Sequence, residues 1–388
     1  LAKLRKSASK NRIVTLEIMP ERKRILVAPL NWGLGHATRC IPIIKALQEY
    51  GFEAVLASDG IALRLLKKEF PELKAFELPS YKIKYAEKGQ HFKLKMIWDS
   101  PKVLKAMTKE KKATKQIVKN HNIDAIISDN RLGVYCKKVP CVFITHQLNV
   151  LSGNTTWFSS KMHRRVIKKF EACWVPDVSG KPNLTGKLGH LKKTKLNIVY
   201  LGPLSRFQKR EVPKKYDLMV LLSGPEPQRG MLAQKLLEEL KMFKGDVLFV
   251  QGKIEERQQV ERMNFENASV FIYNFMQSQE LEHAINCSEI VLCRSGYTTI
   301  MDLAKLEKKA FFIPTPGQYE QEYLAKRLDI KKIVPFSAQE TFRIKDLDKI
   351  KDYTGLTNFE RNLDYSALFS ALSKVKENSE PTSTSLST

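Results

Sequence analysis

Short apolar runs alternate with longer amphipathic stretches along most of the chain. Arg24–Leu30 reads RILVAPL, a run apolar on both faces, and predicts a buried strand followed by a glycine-containing loop and a helix through about Tyr50. Ala54–Ala57, Ala75–Leu78, Asp124–Ser128, Cys141–Thr145, Ala172–Val175 and Ile198–Leu201 are further strand candidates. From Tyr216 the pattern restarts, with strands expected at Leu218–Leu222, Val247–Val250, Val270–Ile272, Ile290–Cys293, Ala310–Ile313 and Lys332–Pro335. Helices are expected at Met231–Met242, Gln279–Asn286, Thr299–Leu306 and Gln318–Leu328, and Asp364–Asn378 can form one more. Uninterrupted apolar strands separated by helices need both sheet faces covered, as in parallel sheets with crossover helices. Two such series predict an α/β protein of two Rossmann-like domains facing across a cleft, with the basic, proline-containing Ser205–Lys215 as linker. The expected division is 1–21, a basic extension; 22–204, the first domain; 205–215, the linker; 216–345, the second domain; 346–378, a helical segment; and 379–388, a Ser/Thr-rich disordered tail.

Composition narrows the function. A length of 388 residues with 43% hydrophobic content supports two cores and excludes a disordered or fibrous chain. No apolar run approaches the ~18–20 residues of a membrane-spanning helix. The first twenty residues lack the apolar core and cleavage site of a secretory signal and are set aside from the fold. Six cysteines, with no C-x-x-C pair and no metal-type spacing, predict small buried residues in a reducing, cytoplasmic compartment.

The formal net charge is +25, and the whole surplus lies before residue 213. It is densest over residues 81–119, where twelve lysines face only Glu87, Asp99 and Glu110 and surround Phe92, Leu94, Met96, Ile97 and Trp98. Lysines ringing large apolar groups suit peripheral contact with an anionic membrane, each lysine adding about 1 kcal/mol. The bland alternative is a solvated lysine-rich helix packed by its apolar side. No RNP, C2H2, KH or helix-turn-helix signature accompanies the charge, so nucleic acid is the weakest partner.

Two loops carry candidate chemistry. The first is Asn31-Trp32-Gly33-Leu34-Gly35-His36-Ala37-Thr38-Arg39, between a strand end and a helix start. Glycines there let a ligand approach the backbone, the helix N-terminus offers N–H groups, and His36 can act as a general base. Thr38 stands where the dinucleotide fingerprint needs its third glycine. A tight turn with His36 as a cap residue would produce the same pattern. The second is Cys293-Arg294-Ser295-Gly296-Tyr297-Thr298-Thr299, opening a helix that carries Asp302. Ser295, Gly296, Thr298 and Thr299 can present hydroxyls or N–H groups to phosphate, and Asp302 can accept both hydroxyls of a ribose. After the next strand, Gln318-Tyr319-Glu320-Gln321-Glu322 clusters amides and carboxylates suited to a sugar, or to compensating a helix dipole.

Together these loops resemble the GT-B nucleotide-sugar glycosyltransferases, specifically the MurG-like family, over about Arg24–Phe336. The resemblance is strongest in CRSGYTTIMDLAKLEKKAFFIPTPGQYEQEYLA, Cys293–Ala325. It implies that Asp302 binds the donor ribose and that Gln321 touches the donor sugar, with Glu322 where a second glutamine is usual. Gly33, Gly35, His36 and Arg39 match the acceptor-facing loop, associated with a diphosphate, and Thr145-His146-Gln147-Leu148-Asn149 resembles the later H-x-x-N segment, adding His146 and Asn149. Leu222-Ser223-Gly224-Pro225-Glu226-Pro227-Gln228-Arg229 departs from the glycine-rich pattern, keeping Ser223, Gly224 and Arg229 as phosphate contacts. The departure points to a divergent relative.

The resemblance implies inverting transfer from a UDP-sugar, GlcNAc-like hexose favoured, with the UDP-sugar as co-substrate and no tightly bound cofactor or metal. Arg294, Arg229 and helix N-terminal amides could stabilise the leaving UDP. His36 is the first candidate base, Asp129 the second and His146 the third. The acceptor is a hydroxyl, lipid-linked in this reading, at the cytoplasmic membrane face. A nucleotide-sugar hydrolase could use His36 on the same scaffold, and a non-catalytic polyanion-binding protein is the non-enzymatic rival. The basic patch argues against the first, and the joint presence of Asp302, Gln321 and His36 against the second.

Overall fold

The computed structural model describes residues 22–81, 101–151, 156–253, 255–359 and 363–373. The expectations for residues 1–21, 82–100 and 374–388 therefore lie outside the described residues, including the aromatic part of the basic stretch and the tail.

Two sheets, parallel except for the edge strand β10, carry the fold. The first has strand order β3-β2-β1-β4-β5-β6-β7, built from Ala75–Glu77, Glu53–Ser58, Arg24–Pro29, Ile123–Asp129, Cys141–Ile144, Ala172–Val175 and Ile198–Tyr200. The second is ordered β10-β11-β9-β8-β12-β13: Val260–Asn264, Ala268–Tyr273, Gly245–Val250, Tyr216–Leu221, Ser288–Cys293 and Lys309–Phe312. The uninterrupted apolar runs are buried on both faces. In β1, Ile25 and Val27 enter one apolar cluster while Leu26 and Ala28 enter another, so β1 is central and sandwiched between helix layers.

Around the first sheet stand α1 (Gly35–Glu49), α2 (Gly60–Glu69), α3 (Pro101–Asn120) and α4 (Thr156–Ile167); the second is flanked by α5 (Gln228–Glu239), α6 (Ser278–Asn286), α7 (Tyr297–Lys305) and α8 (Tyr319–Ile330). Finally α9 (Tyr365–Ser373) returns to the first half, where Phe369 packs edge-on against Tyr50 and Phe52 and lies near Trp174. Full burial of such a ring stabilises by about 1.5–3 kcal/mol, enough to dock a short terminal helix.

One expectation fails and one strand was not foreseen. Lys332–Pro335 forms no strand; only Phe336 makes a single bridge to Phe312. Its β-like composition reflects burial of Ile333 and Val334, not sheet pairing. Conversely, β10 pairs antiparallel with β11 and is exposed throughout, so it has no apolar periodicity to read. The six cysteines are free and buried, as their spacing suggested.

The halves share a core. Ile41 and Ile44 of α1, Leu204 and Phe207 of the connecting segment, and Ile300 and Met301 of α7 belong to one apolar cluster. Each sheet reverses its winding beside its first strand: β1 lies between β2 and β4, and β8 between β9 and β12. Loops diverge at such switch points and leave a crevice at the carboxyl ends of the strands. The loops after β1 and β12 are those singled out from the sequence.

Candidate functional site

α1 and α7 meet nearly tip to tip at the crevice. A Cβ on Gly35 would lie 2.5 Å from Thr298 Oγ1, so only glycine fits this approach. Beside it opens a cavity of about 320 Å³ lined by both halves, including His36, Arg39, His146, Tyr297, Thr298 and Glu320.

The chemistry there is built around Asp129, at the end of β4 and fully buried. Arg39, one turn into α1, donates Nε to Asp129 Oδ2 at 2.5 Å and Nη2 to Oδ1. His36 Nδ1 lies 2.8 Å from Asp129 Oδ1 and 2.8 Å from Arg39 Nη2. Burial raises the cost of ionising Asp129, but Arg39 and His36 outweigh it and hold the carboxyl below its ordinary range. Burial and then the Arg39 charge push the His36 pKa down, against the pull of Asp129, so the imidazole is neutral at pH 7. Asp129 was an alternative base in the sequence reading. Its oxygens are instead occupied by Arg39 and His36, with Cys40 Sγ 3.6 Å from Oδ2. It is placed to orient His36.

A second chain of contacts crosses the cleft. Arg39 Nη1 lies 3.2 Å from His146 Nδ1, and since arginine can only donate, Nδ1 accepts and Nε2 carries the hydrogen. His146 Nε2 then donates to Glu320 Oε1 at 2.7 Å, and Gln147 Nε2 donates to Oε2. Burial would raise the Glu320 pKa, but His146, Arg39 and His36 hold it below the usual range. Tyr297 stacks on His146 with ring centres 4.3 Å apart and donates its hydroxyl to the Pro176 carbonyl at 2.5 Å. Gln147 and Tyr297 were not among the sequence candidates; nothing local distinguishes them from packing residues.

On the second-half side the expected residues divide into exposed and internal groups. Gly296 caps α7, with Thr298 and Thr299 half-buried in its first turn beside the tip of α1. Asp302 lies one turn further, accepting from Ser205 Oγ at 2.6 Å. Burial raises its pKa to about 6, against the opposing effects of the Ser205 hydroxyl and the Arg206 charge. Ser223 and Gly224 are exposed on the loop after β8.

The arginines and amides expected on phosphate and sugar are engaged elsewhere. Arg294 is 1% exposed; its Nη1 donates to the Ile313 and Pro314 carbonyls and Nη2 to Gln228 O and Gln339 Oε1. It ties the loops together through these contacts. Arg229 pairs with Glu226 of its own loop and donates to Gly252 O at 2.6 Å. Ser295 is buried and bonds Gln321 O. Gln321 Oε1 accepts from Thr315 N and Glu322 Oε1 from Gly317 N, so these side chains brace the loop while Gln318, Tyr319 and Glu320 line the cavity. Asn149 donates to Lys187 O and accepts from Arg164, holding two loops together; Gly33 is exposed beside the mouth with φ +74°.

Among the described residues no group of three or more His, Cys, Asp or Glu side chains is placed to hold a metal ion, and no helix is long and apolar enough to cross a membrane.

Residues 229–351 match the glycosyltransferase family 28 C-terminal domain. The chain is 27% identical over 296 residues to the UDP-N-acetylglucosamine--N-acetylmuramyl-(pentapeptide) pyrophosphoryl-undecaprenol N-acetylglucosamine transferase of Clostridium tetani, covering 72% of this chain and 75% of that protein. Among solved structures it resembles MurG of Acinetobacter baumannii (TM-score 0.53, 12% identity, 85% and 89% of the two chains). It also resembles the glycosyltransferase SnogD of Streptomyces nogalater (TM-score 0.58, 12% identity, 91% and 94%). The C-terminal domain match, the relatives and the two-sheet architecture make this chain a glycosyltransferase of GT-B fold, a divergent relative of the MurG-like enzymes.

Proposed function

We propose that the protein transfers an N-acetylglucosamine-like hexose from UDP to the hydroxyl of a lipid-borne acceptor, with inversion, at the cytoplasmic face of a membrane. The observation that carries the catalytic part is the His36–Asp129 contact at 2.8 Å beside a cavity shared by both halves. In the tautomer that directs its Nδ1 hydrogen to Asp129, rather than accepting there from Arg39 Nη2, His36 keeps the Nε2 lone pair free to take a proton. In the proposed step the acceptor oxygen attacks the anomeric carbon from the face opposite UDP and passes its proton to His36. The bond from that carbon to the diphosphate oxygen breaks, and its electron pair leaves with UDP.

The α7 N-terminal amides are assigned to the leaving diphosphate. Asp302 is assigned to the ribose and the Ser223–Gly224 loop to phosphate. In this assignment the half built on the first sheet takes the acceptor and the half built on the second takes the donor.

The membrane part of the reading is supported by α3, where Lys105, Lys109, Lys111, Lys112, Lys115 and Lys119 are exposed alongside Leu104 while Ala106, Glu110 and Ile117 are buried. Release of UDP from a panel of UDP-sugars, with and without membrane lipid, tests the proposal. Lipid-dependent release with one sugar is expected, and His36→Ala should abolish it while still binding UDP. Release unaffected by lipid would favour hydrolysis or a soluble acceptor.

A further inference from the structure

α8 meets the first half along a single face. Glu320, Tyr323 and Arg327, at helical spacing, share that face. Tyr323 Oη accepts from Lys187 N at 2.9 Å, and Arg327 Nη2 donates to Asn183 O at 3.1 Å and to Asn183 Oδ1 at 2.7 Å. A Cβ on Gly186 would lie 2.5 Å from the Arg327 guanidinium, so loop and helix touch at this glycine. The same docking seats Glu320 against His146 at 2.7 Å and against Gln147.

From His146 the contacts reach the proposed base in two steps. His146 Nδ1 accepts from Arg39 Nη1, and Arg39 spans Asp129 with Nε and Nη2. His36 Nδ1 lies 2.8 Å from both Asp129 Oδ1 and Arg39 Nη2, so it can donate to the carboxylate or accept from the guanidinium. Only the first choice leaves Nε2 with its lone pair. A guanidinium held at Nη1 as well as at Nε is fixed in its plane and keeps Nη2 on Asp129. Released at Nη1, it can turn toward His36 and take the Nδ1 lone pair instead.

We infer that His146 and Glu320 are positioning residues for His36: Glu320 holds His146, His146 holds Arg39 Nη1, and Arg39 held in this way leaves His36 Nδ1 to donate to Asp129. The base-competent tautomer thus depends on a residue that the second half supplies. The inference rests on the transferase reading above for its catalytic consequence and deepens it. Around His36 stand Arg39 on its own helix, Asp129 at the end of β4, His146 after β5 and Glu320 on α8, with Tyr297 of α7 stacked on His146. His36 helps to hold the Glu320 carboxyl below its usual range, so by the same attraction Glu320 favours protonated His36.

The test follows the imidazole resonances of the full chain, labelled with ¹⁵N-histidine and saturated with UDP, the His36 signals being identified by their loss in His36→Ala. In the parent, His36 should carry its hydrogen on Nδ1. Glu320→Ala should move it toward the Nε2–H tautomer and lower its titration midpoint by roughly half a pH unit or more. Glu320→Gln keeps an acceptor for His146 Nε2 but not the charge, so the tautomer should stay while the midpoint still falls. His146→Leu, which removes the middle link, should reproduce the tautomer change. In parallel, kcat for lipid-dependent UDP release from UDP-N-acetylglucosamine should fall about tenfold or more in Glu320→Ala, with the Kd for UDP unchanged and partial recovery in Glu320→Gln.

A His36 tautomer unchanged in both Glu320→Ala and His146→Leu overturns the inference. So does a Glu320→Ala variant that raises KM for the UDP-sugar while kcat and the His36 spectrum stay at parent values, since Glu320 would then be a sugar contact only. If the parent releases no UDP from any UDP-sugar, the transferase reading fails. The imidazole spectra then decide the inference alone, the tautomer change sustaining it and its absence ending it.

Discussion

Replacing Asp129 by asparagine tests both the stability and the catalytic logic of the site. The side chain keeps its shape but loses its charge, leaving Arg39 buried without a counter-charge. At 2.5 Å between Nε and Oδ2 and an effective dielectric of about 20, the lost attraction is roughly 6–7 kcal/mol before desolvation is counted. Removing one partner of such a buried pair costs about 3–5 kcal/mol net. Calorimetry of Asp129→Asn should therefore show a clear fall in Tm. Activity should drop by about 10²- to 10⁴-fold, because one acceptor oxygen must then serve both Arg39 and His36 and the charge that stabilises a protonated His36 is gone.

Asp129 raises the His36 pKa against burial and Arg39, so the residual activity should keep its acid limb but at lower pH than in the parent. The double variant Arg39→Met/Asp129→Leu separates the two effects. Apolar replacement of a buried pair is often neutral or stabilising, so Tm should recover while activity stays lost. Asp129→Asn within a few-fold of parent activity and with unchanged Tm would refute the assignment of Asp129 as the partner of both Arg39 and His36.

Further outcomes follow from the donor side. Ribose hydroxyls can only donate to a carboxylate, so UDP should favour ionised Asp302; with a pKa of about 6, its Kd should rise by up to about tenfold per pH unit below that value. The unliganded fold has the opposite sign, since a raised carboxyl pKa stabilises below its unfolded value of 3.8 and that contribution is lost as pH rises through about 6. Asp302→Asn should weaken UDP binding and flatten its pH dependence in isothermal titration. Gly35→Ala places a methyl 2.5 Å from Thr298 Oγ1 and should cost about 1–3 kcal/mol in denaturant unfolding, with partial recovery in Gly35→Ala/Thr298→Ala. Arg294→Met should lower Tm by stranding the Ile313, Pro314 and Gln228 carbonyls, and a variant with parent Tm but impaired UDP binding would restore Arg294 as a phosphate ligand.

The strands, the two-sheet α/β class and the two loops at their carboxyl ends were legible in the chain itself. Burial on both faces writes itself as uninterrupted apolar runs such as RILVAP, and a helix start after glycine is a local signal. The sequence also singled out His36, Asp129 and Glu320 as residue types that acid–base and sugar chemistry need, and Arg39 and His146 through the family resemblance. Their roles depended on contacts between distant positions. Asp129 meets His36 across 93 residues and Glu320 meets His146 across 174, distances over which periodicity carries no information. Arg294 and Arg229 have the charge a diphosphate would want, but nearby carbonyls, Gln339 and Glu226 engage their guanidinium groups, Arg294 Nε excepted. Gln321 and Glu322 turn back to their own loop for the same reason: buried or constrained backbone groups must be satisfied, and the closest side chain serves them. Composition thus fixed which chemistry was available, and the tertiary structure decided which groups were left free to perform it.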